Sequence, residues 1–252
     1  MDYDKLLNLG VELGRSLMFS GAEIYRVEES VTRLLQAYGQ EPHVFALPNC
    51  LIVSITTPSG HPMTRMCRIP PHGLNLELLE RCNDLNRRLC VQLPEVDRAM
   101  ELVQNLVPKC PVFPPWFTVL AYAVTSAFFA LFFGGVFRDF LCAFLCGLFV
   151  GFLLVHGTPF VGSNTFLHTF VCAAVVSAMS LLLVHIGLGA SSEKITIGTL
   201  MILVPGMALT NAMREIMASD IFSGLHRTAE VILIATAIAL GTALPMVVAQ
   251  HL

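Results

Sequence analysis

Residues 203–220, "LVPGMALTNAMREIMASD", open like the interior of an apolar helix, then carry a Pro-Gly pair and close on Arg214, Glu215 and Asp220. Pro205 removes a backbone donor and crowds the turn before it, and Gly206 weakens the helix further. Carbonyls near Met201 and Ile202 are therefore expected to lose their usual partners. Lipid cannot replace them, so a break of this kind belongs where protein covers it or where it lines a wet cavity. Whether the surroundings are membrane-embedded decides what the break means.

The 252-residue chain is 55% hydrophobic and 13% charged, with a net charge of −3. Those averages hide two unlike halves. Before Pro111 lie 11 of the 15 Lys and Arg and 13 of the 18 Asp and Glu. Beyond it the only charged residues are Arg138, Asp139, Glu193, Lys194, Arg214, Glu215, Asp220, Arg227 and Glu230. Residues 140–192 carry no charge at all, enough for two crossings at about 20 residues each. Five spans can be drawn: Trp116 to Phe133, Phe140 to Val155, Phe166 to Ile186, Ile195 to Met213, and Ala229 to Ala249. The fourth contains the break at Pro205-Gly206.

The first 110 residues read as an α+β domain. Leu6, Leu9, Leu13 and Leu17 mark one amphipathic helix, and Ile24, Val27, Val31 and Leu34 or Leu35 a second. Ser20 and Glu23 have the S-x-x-E spacing of a capping box between them. Arg26 and Glu29 read as an i, i+3 pair on a solvated face. The period then shifts to two through "HVFALPNCLIVSITT" and "MTRMCRI", predicting strands with a hairpin, before two more helices return. The fold class expected is thus an α+β cytoplasmic domain, residues 1–110, followed by an all-α membrane domain of five transmembrane helices, residues 111–252. The amino terminus lacks the pattern of a signal peptide, so the first domain is expected in the cytoplasm.

Several chemistries find no support. Basic residues form no stripe, so nucleic acid is excluded as a partner. The eight cysteines form no CxxC and the histidines lack ligand spacing, so neither a metal nor another cofactor is expected. No nucleophile elbow or phosphate loop is present, and the chain is not read as an enzyme. His156, His168 and His185 suit span ends or carbonyl partners, with a proton relay as the alternative. Ala143, Gly147 and Gly151, four apart, form a ridge for close helix approach, inside the protein or between subunits.

An unpaired charge at the bilayer centre costs about 2.5 to 3.5 kcal/mol, so the groups after the break should pair, snorkel or face water. Facing a cavity, they suit a small carboxylate. Arg214 or Arg227 can grip it with parallel hydrogen bonds, Asn211 can orient it, and Asp220 or Glu230 can balance charge or carry a proton. A substrate ammonium would also suit those acids.

"LMILVPGMALTNAMREIMASDIFSGLHRTAEVILIATAIALG", with "SGAEIYRVEESV" and "FGGVFRDF", resembles the threonine/serine exporter family over essentially the whole chain. The resemblance implies a cytoplasmic domain followed by five spans, acting in proton-driven export of threonine and serine. Longer members fuse this unit to a second five-span module, which this chain lacks. A similar split pair is associated with export of dicarboxylates, especially succinate. The chain is therefore expected to be one subunit in the plasma membrane, needing a second small membrane subunit of about five spans, with a homo-oligomer also open. Substrate contacts are expected at Pro205, Gly206, Asn211, Arg214, Asp220 and Arg227, with Asp139 and Glu230 as proton or ion-pair candidates. The rival reading is a membrane-anchored hydrolase or sensor using the first domain, and a structural assembly subunit is a third.

Overall fold

The structure is a computed structural model that describes residues 2–70, 73–157 and 164–251. It divides into two compact units. One comprises the chain up to Val112 together with Thr210–Arg227; the other comprises Phe113–Leu209 and the chain from Thr228 onward.

In the first unit, α1 (Tyr3–Phe19) and α2 (Ile24–Ala37) precede an antiparallel meander of β1 (Pro42–Leu47), β2 (Cys50–Thr56) and β3 (Pro62–Arg68), in that spatial order. The helices α3 (Leu76–Gln92) and α4 (Val96–Gln104) follow. The expected leucine stripe is the core: Leu6, Leu9, Leu13 and Leu17 of α1 are buried with Ile24, Val27, Val31 and Leu34 of α2. Period two does the same for β2, whose Leu51, Val53 and Ile55 point into that cluster. Register follows, with Phe45 opposite Ile52 and Ile52 opposite Met66 on the other face. Gly14 permits the close fit of α1, because a Cβ there would sit 2.4 Å from the Leu51 side chain.

The expected capping box between Ser20 and Glu23 does not form. Gly21 takes φ +85°, in the left-handed region open to glycine, and α2 starts only at Ile24. Glu23 is thus the N-cap residue itself and makes no side-chain cap bond. The Ser20 hydroxyl donates back to the Leu17 carbonyl. The Arg26–Glu29 pair is also corrected: Arg26 lies 3.5 Å from Glu23, while Glu29 pairs with Arg33.

The second unit holds α5 (Pro115–Phe132), α6 (Phe137–His156), α7 (Thr165–His185) and α8 (Ser192–Leu200). Among the described residues four helices are long and apolar enough to cross a membrane: α5, α6, α7 and the last helix, α10 (Ile221–Gln250). The expected fourth span is instead two pieces, α8 and α9 (Gly206–Met217), parted by turns over residues 201–204. Pro205 has become the entry to α9, its carbonyl accepting from Leu209 N. Neither piece alone has the length of a crossing.

The small-residue ridge packs internally. A Cβ on Gly147 would lie 2.5 Å from Ser126 Oγ of α5, and one on Gly151 would meet Tyr122. His168 contacts the Leu153 carbonyl at 3.2 Å, and His156 and His185 end their helices, which fits the structural reading of these rings. The last helix begins eight residues before the expected Ala229 and, from Thr228, belongs to this unit; Ser177 Oγ of α7 donates to its Thr242 carbonyl at 3.0 Å.

Candidate functional site: paired arginines and carboxylates

Three polar residues after the break, Arg214, Glu215 and Arg227, reach the α1–α2 junction across roughly two hundred residues of sequence and within one compact unit. On α9, Asn211 and Glu215 lie one turn apart and both are buried. Arg214 makes a hydrogen-bonded ion pair with Glu23. That glutamate's side chain is only 5% exposed, whereas Arg214 keeps 48% of its side chain open. Burial alone would raise the Glu23 carboxyl; its own backbone N–H, Arg214 and Arg26 outweigh this and hold it below the usual carboxylate range.

Glu215 is at the centre. It is fully buried, and its Oε1 accepts from Ile24 N at 3.3 Å and lies 3.0 Å from Arg227 Nε. Arg227, 16% exposed at its side chain, comes from the second turn of α10 and also donates through Nη2 to the Ala22 carbonyl at 3.2 Å. The Nε–H is out of line with Glu215, so that contact is an ion pair by distance and not a hydrogen bond. Among the described residues, three buried side-chain atoms lack a hydrogen-bond partner: Glu215 Oε2, Ser223 Oγ and Arg227 Nε. Two belong to the Glu215–Arg227 pair, and Ser223 lies one turn before Arg227 on α10. Burial pushes the Glu215 carboxyl up, and Asp220 and Glu23 push the same way, against Arg227 and the Ile24 N–H.

A second feature lies beside it. A cleft of about 590 Å³ is lined by Tyr25, Glu28, Val44, Phe45, Asp220 and Phe222, among others. Glu28 accepts from Ala46 N at 2.8 Å, tying α2 to β1, and burial lifts its carboxyl, with Asp220 adding to the rise. Asp220 caps α10, accepting from Ser223 N at 3.3 Å. Carboxylates beside aromatic faces suit an organic cation.

Of the residues expected from sequence, Arg214 and Arg227 meet in the cluster, Asn211 is buried on the helix that carries it, and Asp220 faces the cleft. Pro205 and Gly206 form the break and belong to the second unit. Asp139 sits elsewhere, buried at the start of α6, where it accepts from Val136, Ala190 and Ser191 N–H groups. Glu230 is exposed on α10, and no ion pair joins it to the cluster among the described residues. Sequence reasoning missed Glu215, Glu23 and Glu28 as site members. Glu215 carried a signal in its i, i+4 relation to Asn211; Glu23 and Glu28 lie in the SGAEIYRVEESV stretch that carries the family resemblance, but the local reading gave Glu23 to capping and Glu28 to a solvated helix face.

The family model described as "Putative threonine/serine exporter" (ThrE) matches residues 8–249. The chain belongs to the threonine/serine exporter family. Family members are membrane transporters, in keeping with the long apolar helices. Among similar proteins, "Pheromone-regulated membrane protein 10" of Saccharomyces cerevisiae is 28% identical over 84% of this chain and 28% of its own length. The protein of that name from Pichia sorbitophila is also 28% identical, over 84% of this chain and 22% of its own length. This exporter-family chain thus spans under a third of the yeast relatives. "Probable succinate transporter subunit YjjP" of Klebsiella aerogenes is 24% identical over 94% of this chain and 92% of its own length. No solved structure matches the chain.

Proposed function

We propose that this exporter-family protein is one subunit of a secondary transporter in the plasma membrane, moving small amino acids such as threonine and serine, or small dicarboxylates such as succinate, outward against a proton flow. Its first 110 residues lie in the cytoplasm and residues 111–252 cross five times, the fourth crossing interrupted at Pro205-Gly206. A second small membrane subunit of about five spans completes it. Family membership supports export, and the near full-length likeness to a relative named as a succinate transporter subunit supports the split form.

One observation carries the reading: Arg214, on the helix that starts at the break, is half open to solvent while held by a single carboxylate. A substrate carboxylate can exchange with Glu23 for that guanidinium, which presents two parallel donors. Arg227, deeper and engaged on two sides, holds the frame. Asn211 orients the substrate, and Asp220 balances the ammonium of an amino acid.

Vesicles containing the chain and its small partner test this by counterflow of labelled threonine, serine and succinate. Arg214→Ala and Asp220→Asn are expected to abolish counterflow while the protein remains in the membrane. Unchanged flux in both would overturn the proposed roles, and flux of none of the three solutes by the wild type would overturn the substrate class.

A further inference from the structure

The orphaned atoms single out one group. Buried side-chain polar atoms without partners are rare in folded proteins, and each one asks for a cause. Here the three found among the described residues sit on Glu215, Ser223 and Arg227. A buried ionised carboxylate needs donors at both oxygens. Glu215 has one N–H and a misaligned guanidinium at Oε1 and nothing at Oε2. Its charged form is therefore the poorly accommodated one, and a proton on Oε2 removes the charge where no donor offsets it.

We propose that Glu215 is a proton-binding site, occupied when the 211–227 segment is closed on the α1–α2 junction, and that loss of this proton weakens the closure. The proton is taken from water at Oε2 and returned to water, with no other bond made or broken. The charged groups acting on the site are Arg227 from α10, Asp220 from the α9–α10 turn, and Glu23 from the α1–α2 junction, the last matched by Arg214 and Arg26. The sign follows from linkage. The closed state lifts this carboxyl above its value in water, so the proton favours closing, and deprotonation favours an open state where water solvates the anion. The Glu23–Arg214 pair behaves oppositely, because Glu23 is held low and stays ionised. One tie thus weakens as a proton is lost and the other as a proton is gained. If the chain exports solutes as proposed, this places a coupling proton where the 211–227 segment meets the α1–α2 junction, within the first unit.

Two measurements on the full chain in nanodiscs test it together. Infrared difference spectra across an acid-to-alkaline titration are expected to contain a protonated-carboxyl band whose midpoint lies above the ordinary 4.5 of Glu, and Glu215→Gln removes that band. Hydrogen exchange at Ile24 and its neighbours, corrected for intrinsic chemistry, is expected to quicken as pH rises through the same midpoint, by roughly tenfold for each pK unit of elevation. In Glu215→Gln the exchange stays slow at every pH. Glu215→Asp keeps a titratable group and shifts both midpoints together, so the site remains testable should the Gln variant fold poorly. A band unaffected by both substitutions, a midpoint at or below the ordinary value, or exchange that ignores the band's midpoint would each overturn the proton site. Transport is not read in this experiment, so its failure leaves export standing, and absence of export leaves the titration standing.

Discussion

Two buried carboxylates, one in each compact unit, have opposite surroundings. Asp139, 1% exposed in the second unit, accepts from Val136 N at 3.1 Å, Ala190 N at 2.7 Å and Ser191 N at 2.9 Å, using both oxygens. Glu215, 0% exposed in the first, has one backbone donor, a misaligned arginine and an empty oxygen. Asp139 fastens the turn before α6 to the loop before α8, where Lys194 also donates to the Gly134 carbonyl. A carboxylate so fully donated to has a structural reason to stay as it is. A carboxylate so poorly donated to is suited to change state. The contrast separates a fastening from a moving part by counting donors, without regard to how buried or how polar each region is.

The same chemical change should act very differently at the two positions. Asp139→Asn turns one acceptor into a donor facing backbone N–H groups, and is expected to destabilise the protein by about 3 kcal/mol, read as a fall in the thermal midpoint in detergent. Glu215→Gln is expected to cost nothing measurable, or to stabilise slightly, since Oε2 has no donor to lose. Equal losses in the two variants would erase the distinction.

Arg227→Met removes the cation that faces Glu215. Breaking a buried pair usually costs about 3 to 5 kcal/mol because a charge is stranded, but Glu215 can escape by taking up a proton. The expected loss is about 2 kcal/mol at neutral pH, shrinking on acidification as the stranded carboxylate is neutralised. Glu23 supplies the opposite slope: its lowered carboxyl contributes stability that is present above its unfolded value and lost as pH falls through its folded one. Thermal midpoints against pH for wild type, Arg227→Met and Glu23→Gln check both signs. A loss in Arg227→Met that is constant across pH would mean Glu215 does not titrate in the closed state.

Much of the architecture was legible because it follows from local periodicity. Leu6 to Leu17 and Ile24 to Leu34 fall where 3.6-residue spacing puts a buried stripe, and Leu51, Val53 and Ile55 where alternation does. The interruption at Pro205 was legible because a missing donor acts within one turn. Helix ends were less so. The last helix starts at Ile221 because Asp220 caps it, whereas hydropathy looks past Arg227 and Glu230 to Ala229; the backbone ladder is indifferent to that polarity. The pairing at the site was illegible for a different reason. Glu23 had a sufficient local explanation in the S-x-x-E spacing, and only the left-handed turn at Gly21, which delays α2 to Ile24, frees its carboxylate for Arg214. Contacts between residues 23 and 214, or between 139 and 190, depend on the tertiary fold, and no spacing rule reaches that far.

The smallest expected effect concerns the turn between the two acids of the first unit. Asp220 N donates to the Glu215 carbonyl and Ser219 N to the Ile216 carbonyl, a closure that places Ser219 in the left-handed region at φ +69°. A side chain there costs about 1 to 2 kcal/mol relative to glycine, while glycine frees the unfolded chain by about 0.5 to 1 kcal/mol. Ser219→Gly should therefore stabilise by about 0.5 kcal/mol, a small rise in thermal midpoint. The substitution changes no charge and leaves the donors to Glu215 in place. Its carboxyl midpoint should then stay fixed while stability rises, which would separate backbone strain from proton affinity. A midpoint that moves with it would mean that the turn itself helps hold Glu215 away from water, and that the contrast with Asp139 rests on the α9–α10 turn as well as on hydrogen-bond donors.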